Sequence, residues 1–395
     1  MTTTSSISTI GSPPREVAQS SRLLSLDVLR GLTIAFMILV NNNGNEAAAY
    51  WPLKHAAWNG FTPTDLVFPT FLFLVGITAV FSTASRLAKG ATRQSLFLHI
   101  LRRSIILYLL GLVVNSFPYF HLHTMRFYGV LPRIAVCYLI AASLYLISPD
   151  WRGKVALAVA ALAGYWILMR FVPVPGYGVP GRDIPFLDRD ANLTAWLDRQ
   201  IFSASHLYEH TRDPEGLLST LPAVATALLG LLTGIWLRTR RTLAAKAVGI
   251  ATAGFSGVLL GGLWNLFFPI NKKLWTSSYV LFAGGLSLLL LALCFLIVDL
   301  REKNPREPKR SRFLTPFLVF GTNAISAYVF SELLQSTLSS IHPRQNLNFQ
   351  QFLYRSIQHV VPNQAFASLL YSLGFVAICW LFISVLYRRG IFIRV

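Results

Sequence analysis

Residues 41–76 read NNNGNEAAAYWPLKHAAWNGFTPTDLVFPTFLFLVG, and how that stretch is taken decides the fold. It opens where one apolar run, at about 26–41, ends, and it closes inside a second, at about 66–85. Each run is near the roughly 20 residues that cross a bilayer as a helix. The loop between them holds Asn41, Asn42, Asn43, Trp51, Lys54, His55, Trp58, Asn59 and Asp65. A connection between two spans needs far less chemistry than that. Thr62-Pro63-Thr64-Asp65 reads as a helix start, with threonine at the N-cap and proline at the first helical position. Asp65 then takes the third position, facing the positive end of the helix dipole.

Outward from this stretch the pattern repeats. Further apolar runs lie at about 96–117, 127–148, 153–172, 217–237, 244–268, 276–298, 313–338 and 365–387, ten runs with the first two. Charged residues make up 13% of the 395, against roughly 25% in soluble domains. The expected fold is therefore all-α: a polytopic integral membrane helical bundle of about ten transmembrane helices, with no soluble domain. The formal charge of +19 would point a soluble protein toward nucleic acid. Here the basic residues sit between apolar runs, where the positive-inside rule accounts for them. That rule puts both termini in the cytoplasm and the His55 loop outside. Residues 1–21, rich in Ser and Thr and without an apolar core, read as a disordered cytoplasmic tail, and 22–395 as one transmembrane domain. Two long outer loops are expected at about 173–216 and 339–364, with Leu193 to Ile201 a short helix lying at the interface. Cys137, Cys294 and Cys379 lie in separate apolar runs; they match no disulfide framework and no metal-ligand spacing.

His55 is the expected chemical centre. A neutral imidazole accepts a proton from an amine or hydroxyl near pH 7, and it can also attack an acyl carbon. Asn41, at the end of the first run, is placed to orient the ring or to donate to a developing oxyanion. The plainer reading of His55 is an interfacial histidine packed between Trp51 and Trp58. Polar residues expected at the same depth are Asn115, Arg133, Asn265, Lys272, Lys273 and Glu332, with Asn323 nearer mid-span. Arg133 inside a span marks a functional site by default, the alternative being a structural pair with Glu332 or Asp65. Intramembrane asparagines also bridge helices. At the cytoplasmic end, Arg30, paired with Asp27 at i,i+3, and Arg102 and Arg103 form a candidate cradle for a polyanion.

Several stretches together resemble the heparan-alpha-glucosaminide N-acetyltransferase family of multi-span membrane enzymes. They are RLLSLDVLRG (22–31), KHAAWNG and TPTDLVFP within 41–76, GVLPRIAVCYL (129–139), DPEGLLSTLPAVATALLG (213–230), FPINKKLWTSSYVLF (268–282) and FGTNAISAYVFSEL (320–333). The glutamine usual before the arginine of the fourth-span motif is Pro132 here, and a short tail is expected in place of the animal member's large luminal domain. The resemblance implies acetyl transfer from cytoplasmic acetyl-CoA to an amino sugar on the far side of a bacterial cytoplasmic membrane. In it His55 matches the active-site histidine and Asn41 the assisting asparagine. Trp51, Trp58, Asn59, Asp65, Arg133, Asn265, Lys272, Lys273, Asn323 and Glu332 are then candidates for the acceptor site. Arg30, Arg102 and Arg103 are candidates for acetyl-CoA. Expected partners are the lipid bilayer, the amino-sugar acceptor and, as a candidate, a second copy of the chain in a homodimer; no nucleic acid and no metal is expected. The rival reading is an amino-sugar permease, in which Trp51, Trp58 and Asn59 stack and bond a sugar in transit.

Overall fold

The structure, a computed structural model, describes residues 23–300, 313–343 and 347–393. The expectations for the tail at 1–21, for the basic run from Arg301 to Arg312 and for Arg394 fall outside the described residues. Long apolar helices dominate what is described. They are α1 (Leu24–Asn41), α2 (Val67–Ala88), α3 (Arg93–Ser116), α4 (Val130–Ile147), α5 (Trp151–Phe171), α7 (Thr220–Leu237), α8 (Leu243–Trp264), α9 (Ser277–Cys294) and α13 (Gln364–Arg388). A π-helical turn, Phe295–Leu300, prolongs α9, and a 3₁₀ turn, Pro63–Leu66, leads into α2. Nine helices among the described residues are long and apolar enough to cross a membrane. The short α6 (Leu193–Ile201) falls on the residues the sequence singled out, with Thr194, Ala195 and Asp198 buried.

The expected ninth run is where sequence and structure part. Instead of one straight helix at 313–338, α10 (Thr315–Thr322) and α11 (Ala324–Ser340) meet at 85°. The break falls at Asn323, whose φ of −125° and ψ of 41° leave the helical region. Its side chain donates to the Ile391 carbonyl (3.1 Å) and accepts from the Ile393 amide (3.1 Å), so it serves backbone of the C-terminal segment. α10 lies against α1 through Gly31 and Gly321, where an added Cβ would overlap the carbonyls of Phe317 and Asp27. Such backbone-to-backbone contact directs α10 across α1, and a count of apolar residues does not register it.

α2 and α7 meet in the same way. A Cβ on Gly76 would overlap the Ala227 carbonyl, and one on Gly230 the Phe73 carbonyl. Small residues let membrane helices approach this closely. Gly230→Val should therefore force α7 off α2 and cost about 1–3 kcal/mol. The measurement is thermal unfolding in detergent; a midpoint equal to wild type would show that α7 has room to move.

Because the helices alternate in direction, the connections sort onto two faces. On one face α1 ends, α2 begins, α3 ends, α4 begins, α5 ends and α7 begins, and the α8–α9 turn joins them. α12 (Phe349–Val360), between α11 and α13, lies on that face too, its Gln350 donating to the Asn43 carbonyl at 3.0 Å. Contacts between distant loops knit this face together. Gly60 N donates to the Ile270 carbonyl (2.8 Å), Trp58 Nε1 to the Leu187 carbonyl (2.9 Å), and Asn271 Nδ2 to Asn59 Oδ1 (3.0 Å).

Candidate active site

The 41–76 stretch builds its centre from a helix start. Asp65 occupies the third position of the capping box that the sequence predicts, and its Oδ2 accepts from the Thr62 amide (3.0 Å) and the Ala56 amide (3.1 Å). That leaves Oδ1 for His55, whose Nδ1 lies 2.7 Å away. Asp65 is fully buried, while the His55 side chain keeps about a third of its surface exposed (34%). The backbone carbonyl of Asp65 is itself held by Tyr279 Oη at 2.7 Å. A buried carboxylate with both oxygens engaged fixes the ring's tautomer: Nδ1 carries the proton and donates it, so the Nε2 lone pair is free. Asp65 is thus both the helix cap and the group that orients the histidine.

The second cation arrives from the turn between α8 and α9. Lys272 Nζ stands 3.3 Å from His55 Nε2 and 3.4 Å from Nδ1. Near-equal separations from the two ring nitrogens mean that the ammonium is not aligned on the Nε2 lone pair. This turn is rigidly built. Asn271 accepts from the Leu274 amide (2.9 Å), Thr276 Oγ1 accepts from the Asn271 amide (3.0 Å) and donates to the Pro269 carbonyl (2.9 Å). Tyr165 Oη donates to the Leu274 carbonyl at 2.6 Å. Trp275 closes the turn with φ +53°, a left-handed conformation rarely adopted by a bulky residue, and its buried indole donates to Thr226 Oγ1 at 3.1 Å. Such a conformation costs on the order of 1–3 kcal/mol and persists only where the surroundings impose it.

The electrostatics keep the imidazole neutral. Burial and the adjacent Lys272 charge hold the His55 pKa below its ordinary 6.5, against the pull of Asp65 and of the more distant Glu46. Burial likewise holds Lys272 below the usual lysine value; Glu215 and Asp65 oppose this, while Lys273 and Arg133 add to it. Behind this pair lies a buried ionic network. Arg126 grips Asp213 through Nε (2.7 Å) and Nη2 (2.5 Å) and reaches Glu215 Oε2 at 2.5 Å. Burial pushes the Glu215 carboxyl up, but Arg126, Arg133 and Lys272 together outweigh it and hold it below the usual value. Asp198 takes the opposite course: burial, with Asp213 nearby, raises it to about 7.

The residues expected at the site separate into those gathered around His55 and those that are not. Asp65 and Lys272 touch the ring. Arg133, 2% exposed, is buried as expected but pairs with neither Glu332 nor Asp65. It donates to the Gly216 carbonyl (3.0 Å) and Ser219 Oγ (2.5 Å) and lies over the Trp275 ring. Asn59 bonds Asn271, and so ties the His55 loop to the Lys272 turn. Arg189 and Arg212 both lie over the Trp58 ring; those contacts and its bond to the Leu187 carbonyl engage the ring that the sequence assigns to sugar stacking. Trp51 is 65% exposed and open to a ligand.

Asn41 ends α1 exposed, and its side chain meets the Glu332 carboxyl rather than His55. Glu332 is therefore Asn41's partner, not that of Arg133. Lys273 pairs with Glu209 at 2.8 Å, and Asn265 Oδ1 accepts from the Ile270 amide at 2.7 Å, both within the loop architecture. Asn115 likewise donates to the Arg126 and Tyr128 carbonyls (2.9 and 2.6 Å) and bridges backbone. Asn323 stands apart, at the other end of α11 with the C-terminal segment.

Toward the opposite face, Arg30 bonds Asp27 (3.0 Å) and the Gly321 carbonyl (3.2 Å), Arg103 lies over the Tyr138 ring, and Arg102 is exposed. Arg126, Asp213 and Glu215 were not among the expected site residues. Their signal was present in DPEG at 213–216, where two acids flank a Pro at the head of a span, but a charge at a loop end reads as solvated until its arginine is found.

A family model described as heparan-alpha-glucosaminide N-acetyltransferase, catalytic, matches residues 22–268, which take in His55, Asp65, Arg133 and Glu215. Two curated relatives carry the name heparan-alpha-glucosaminide N-acetyltransferase. The mouse protein is 30% identical, with 82% of this chain and 55% of that protein covered. The human protein is 30% identical, with 80% of this chain and 53% of that protein covered. The chain spans about half the length of the curated relatives it matches.

Proposed function

The chain belongs to the heparan-alpha-glucosaminide N-acetyltransferase catalytic family, and from that premise we propose that it is a membrane-embedded acyltransferase. It passes an acetyl group from acetyl-CoA on the cytoplasmic side to the amine of a glucosamine-like sugar on the other. The observation that carries this reading is the His55–Asp65 pair, with Nδ1 tied to Oδ1 at 2.7 Å and Nε2 left as a base. Transfer from a thioester to an amine is downhill, so the enzyme must position two groups and move one proton. The sugar amine approaches His55 from the open loop side, near the exposed Trp51. His55 Nε2 takes the proton from nitrogen as nitrogen attacks the thioester carbonyl. Collapse of the tetrahedral intermediate expels CoA thiolate, which receives that proton from His55. Asp65 stabilises the imidazolium formed between these steps.

The orientation rests on the basic connections, Arg86 and Lys89, Arg152 and Lys154, and Arg238, Arg240 and Arg241, all on the face opposite His55. On that orientation the charged half of acetyl-CoA binds at the cytoplasmic ends of the helices, with Arg102 and Arg103 as the residues to meet its phosphates. Arg30, already engaged by Asp27 and Gly321, fits better as the fastening of α1 to α10. A small apolar cavity, with room for about one water, lies between α1, α2, α4 and α11, lined by Met37, Phe68, Ile134 and Tyr328 among others.

The test uses inverted membrane vesicles with glucosamine trapped inside and labelled acetyl-CoA added outside. Labelled N-acetylglucosamine should accumulate in the lumen, dependent on the protein. Glucosamine leaving unmodified, with no labelled product, would overturn acetyl transfer in favour of the permease.

A further inference from the structure

An acyl transfer needs a donor for the oxyanion as well as a base, and the sequence assigns that part to Asn41. In the structure Asn41 is turned to Glu332. The donor that does reach the imidazole is Lys272, 3.3 Å from the nitrogen that must accept the proton. We infer that Lys272 Nζ binds the carbonyl oxygen of the acyl donor as it becomes an oxyanion, an inference that rests on the acyltransferase reading above.

Three observations carry it. First, Lys272 is available: among the described residues no carboxylate lies within ion-pair distance of its ammonium, whereas its neighbour Lys273 is spent on Glu209 at 2.8 Å. Second, its place is fixed by more structure than a topology anchor needs. The turn that presents it is bonded to Asn59 and to the Gly60 amide from the His55 loop, and it is locked by the left-handed, buried Trp275. Base and cation are thus held on one framework, as preorganised stabilisation of a developing charge requires. Third, the distance suits the chemistry. The attacked carbon sits about 3 Å from the incoming nitrogen, itself about 3 Å from Nε2. A cation 3.3 Å from Nε2 therefore reaches a carbonyl oxygen on that carbon without the ring moving.

The charge changes balance. As the amine nitrogen forms its bond to carbon, the C=O π pair moves onto oxygen and is met by the Lys272 ammonium, while His55 takes the amine proton. The pair returns when the C–S bond breaks. Lys272 has a second effect on the same step, since its charge helps keep His55 unprotonated. The charged groups facing Lys272 are Asp65 from the start of α2, Arg133 from α4, Glu215 from the loop before α7 and Lys273 on its own turn. The two anions and two cations cancel one another, so the ammonium keeps its own charge to offer a ligand.

The experiment compares purified full-length wild type, Lys272→Met and Lys272→Arg in lipid nanodiscs. It reads acetyl transfer to glucosamine and, by NMR on ¹³C-labelled histidine, the titration of His55. Lys272→Met should lower kcat about 10²–10³-fold, the cost of one lost oxyanion donor, with KM for both substrates within about threefold. Its acid limb and the His55 titration should both move to higher pH, because the cation that depresses the imidazole has gone. Lys272→Arg keeps the charge, should restore part of kcat, and should leave the titration near that of wild type. A Lys272→Met rate within threefold of wild type overturns the inference. So does a loss confined to KM for the amino sugar, which would make Lys272 an acceptor contact. Should Lys272→Met fail to fold, Lys272→Arg decides alone: an arginine variant that is folded, titrates as wild type and shows no recovery above background overturns it. A wild type that acetylates no amino sugar defeats the acyltransferase reading itself, an outcome that the variants do not produce.

Discussion

Replacing His55 with alanine lowers acetyl transfer to glucosamine by at least about 10²-fold, the scale of a positioned proton carrier. The loss belongs in kcat. Acetyl-CoA binding stays close to wild type, because the proposed phosphate contacts at Arg102 and Arg103 lie toward the opposite face. Folding is spared as well, since the ring is one-third exposed and its loss removes one of several bonds to Asp65. The check is a kinetic comparison in vesicles, with thermal unfolding as the control for a folded protein. In wild type the rate falls as His55 takes up a proton. Because burial and Lys272 hold its pKa below 6.5, the fall should come at a pH below that value. A folded His55→Ala protein with near wild-type transfer would remove histidine from the chemistry and leave the Trp51 face as a sugar-binding surface only.

Which parts of this picture the sequence carried follows from the physics of each signal. The apolar helices were legible because a bilayer demands about 20 apolar residues per crossing. The capping box at Thr62–Asp65 was legible because it is local: four consecutive positions specify it. His55 stood out as a titratable ring among tryptophans. What stayed hidden depends on distance in the chain. Asp65 read as a cap, a complete local role for a carboxylate, and its second role needs the loop to fold back ten residues. Lys272 and His55 are 217 residues apart, and Arg126 and Asp213 are 87 apart; no periodicity reports such pairs. Asn41 was placed at the outer end of its span and Asn323 nearer mid-span by counting along straight helices. The 85° break at Asn323 invalidates that count for α11, and Glu332 claims the side chain of Asn41.

Asp65 is where the local and the long-range roles can be pulled apart, by two substitutions with different signatures. In Asp65→Asn the amide oxygen can still accept from Ala56 and Thr62, so the helix start survives and the protein folds. Its NH₂ group, however, now faces His55 Nδ1. Two donors cannot share that contact, so the ring takes the tautomer with its proton on Nε2 and loses the lone pair the reaction needs. The expected result is a rate about 10³–10⁴-fold below wild type, the scale seen when an orienting aspartate becomes asparagine in a catalytic triad. Asp65→Ala should cost rate and stability together. It strands the buried Thr62 amide, an unsatisfied donor costing about 1–3 kcal/mol, takes the partner of the part-buried Ala56 amide, and frees the start of α2. The pH dependence supplies an independent sign. Asp65 raises the His55 pKa, so residual activity in either variant should persist to lower pH than in wild type, opposite to the shift expected for Lys272→Met. Thermal midpoints and pH–rate profiles of the three proteins decide it. If Asp65→Asn transfers acetyl at close to the wild-type rate, the carboxylate is a helix cap and nothing more, and the tautomer argument for His55 falls with it.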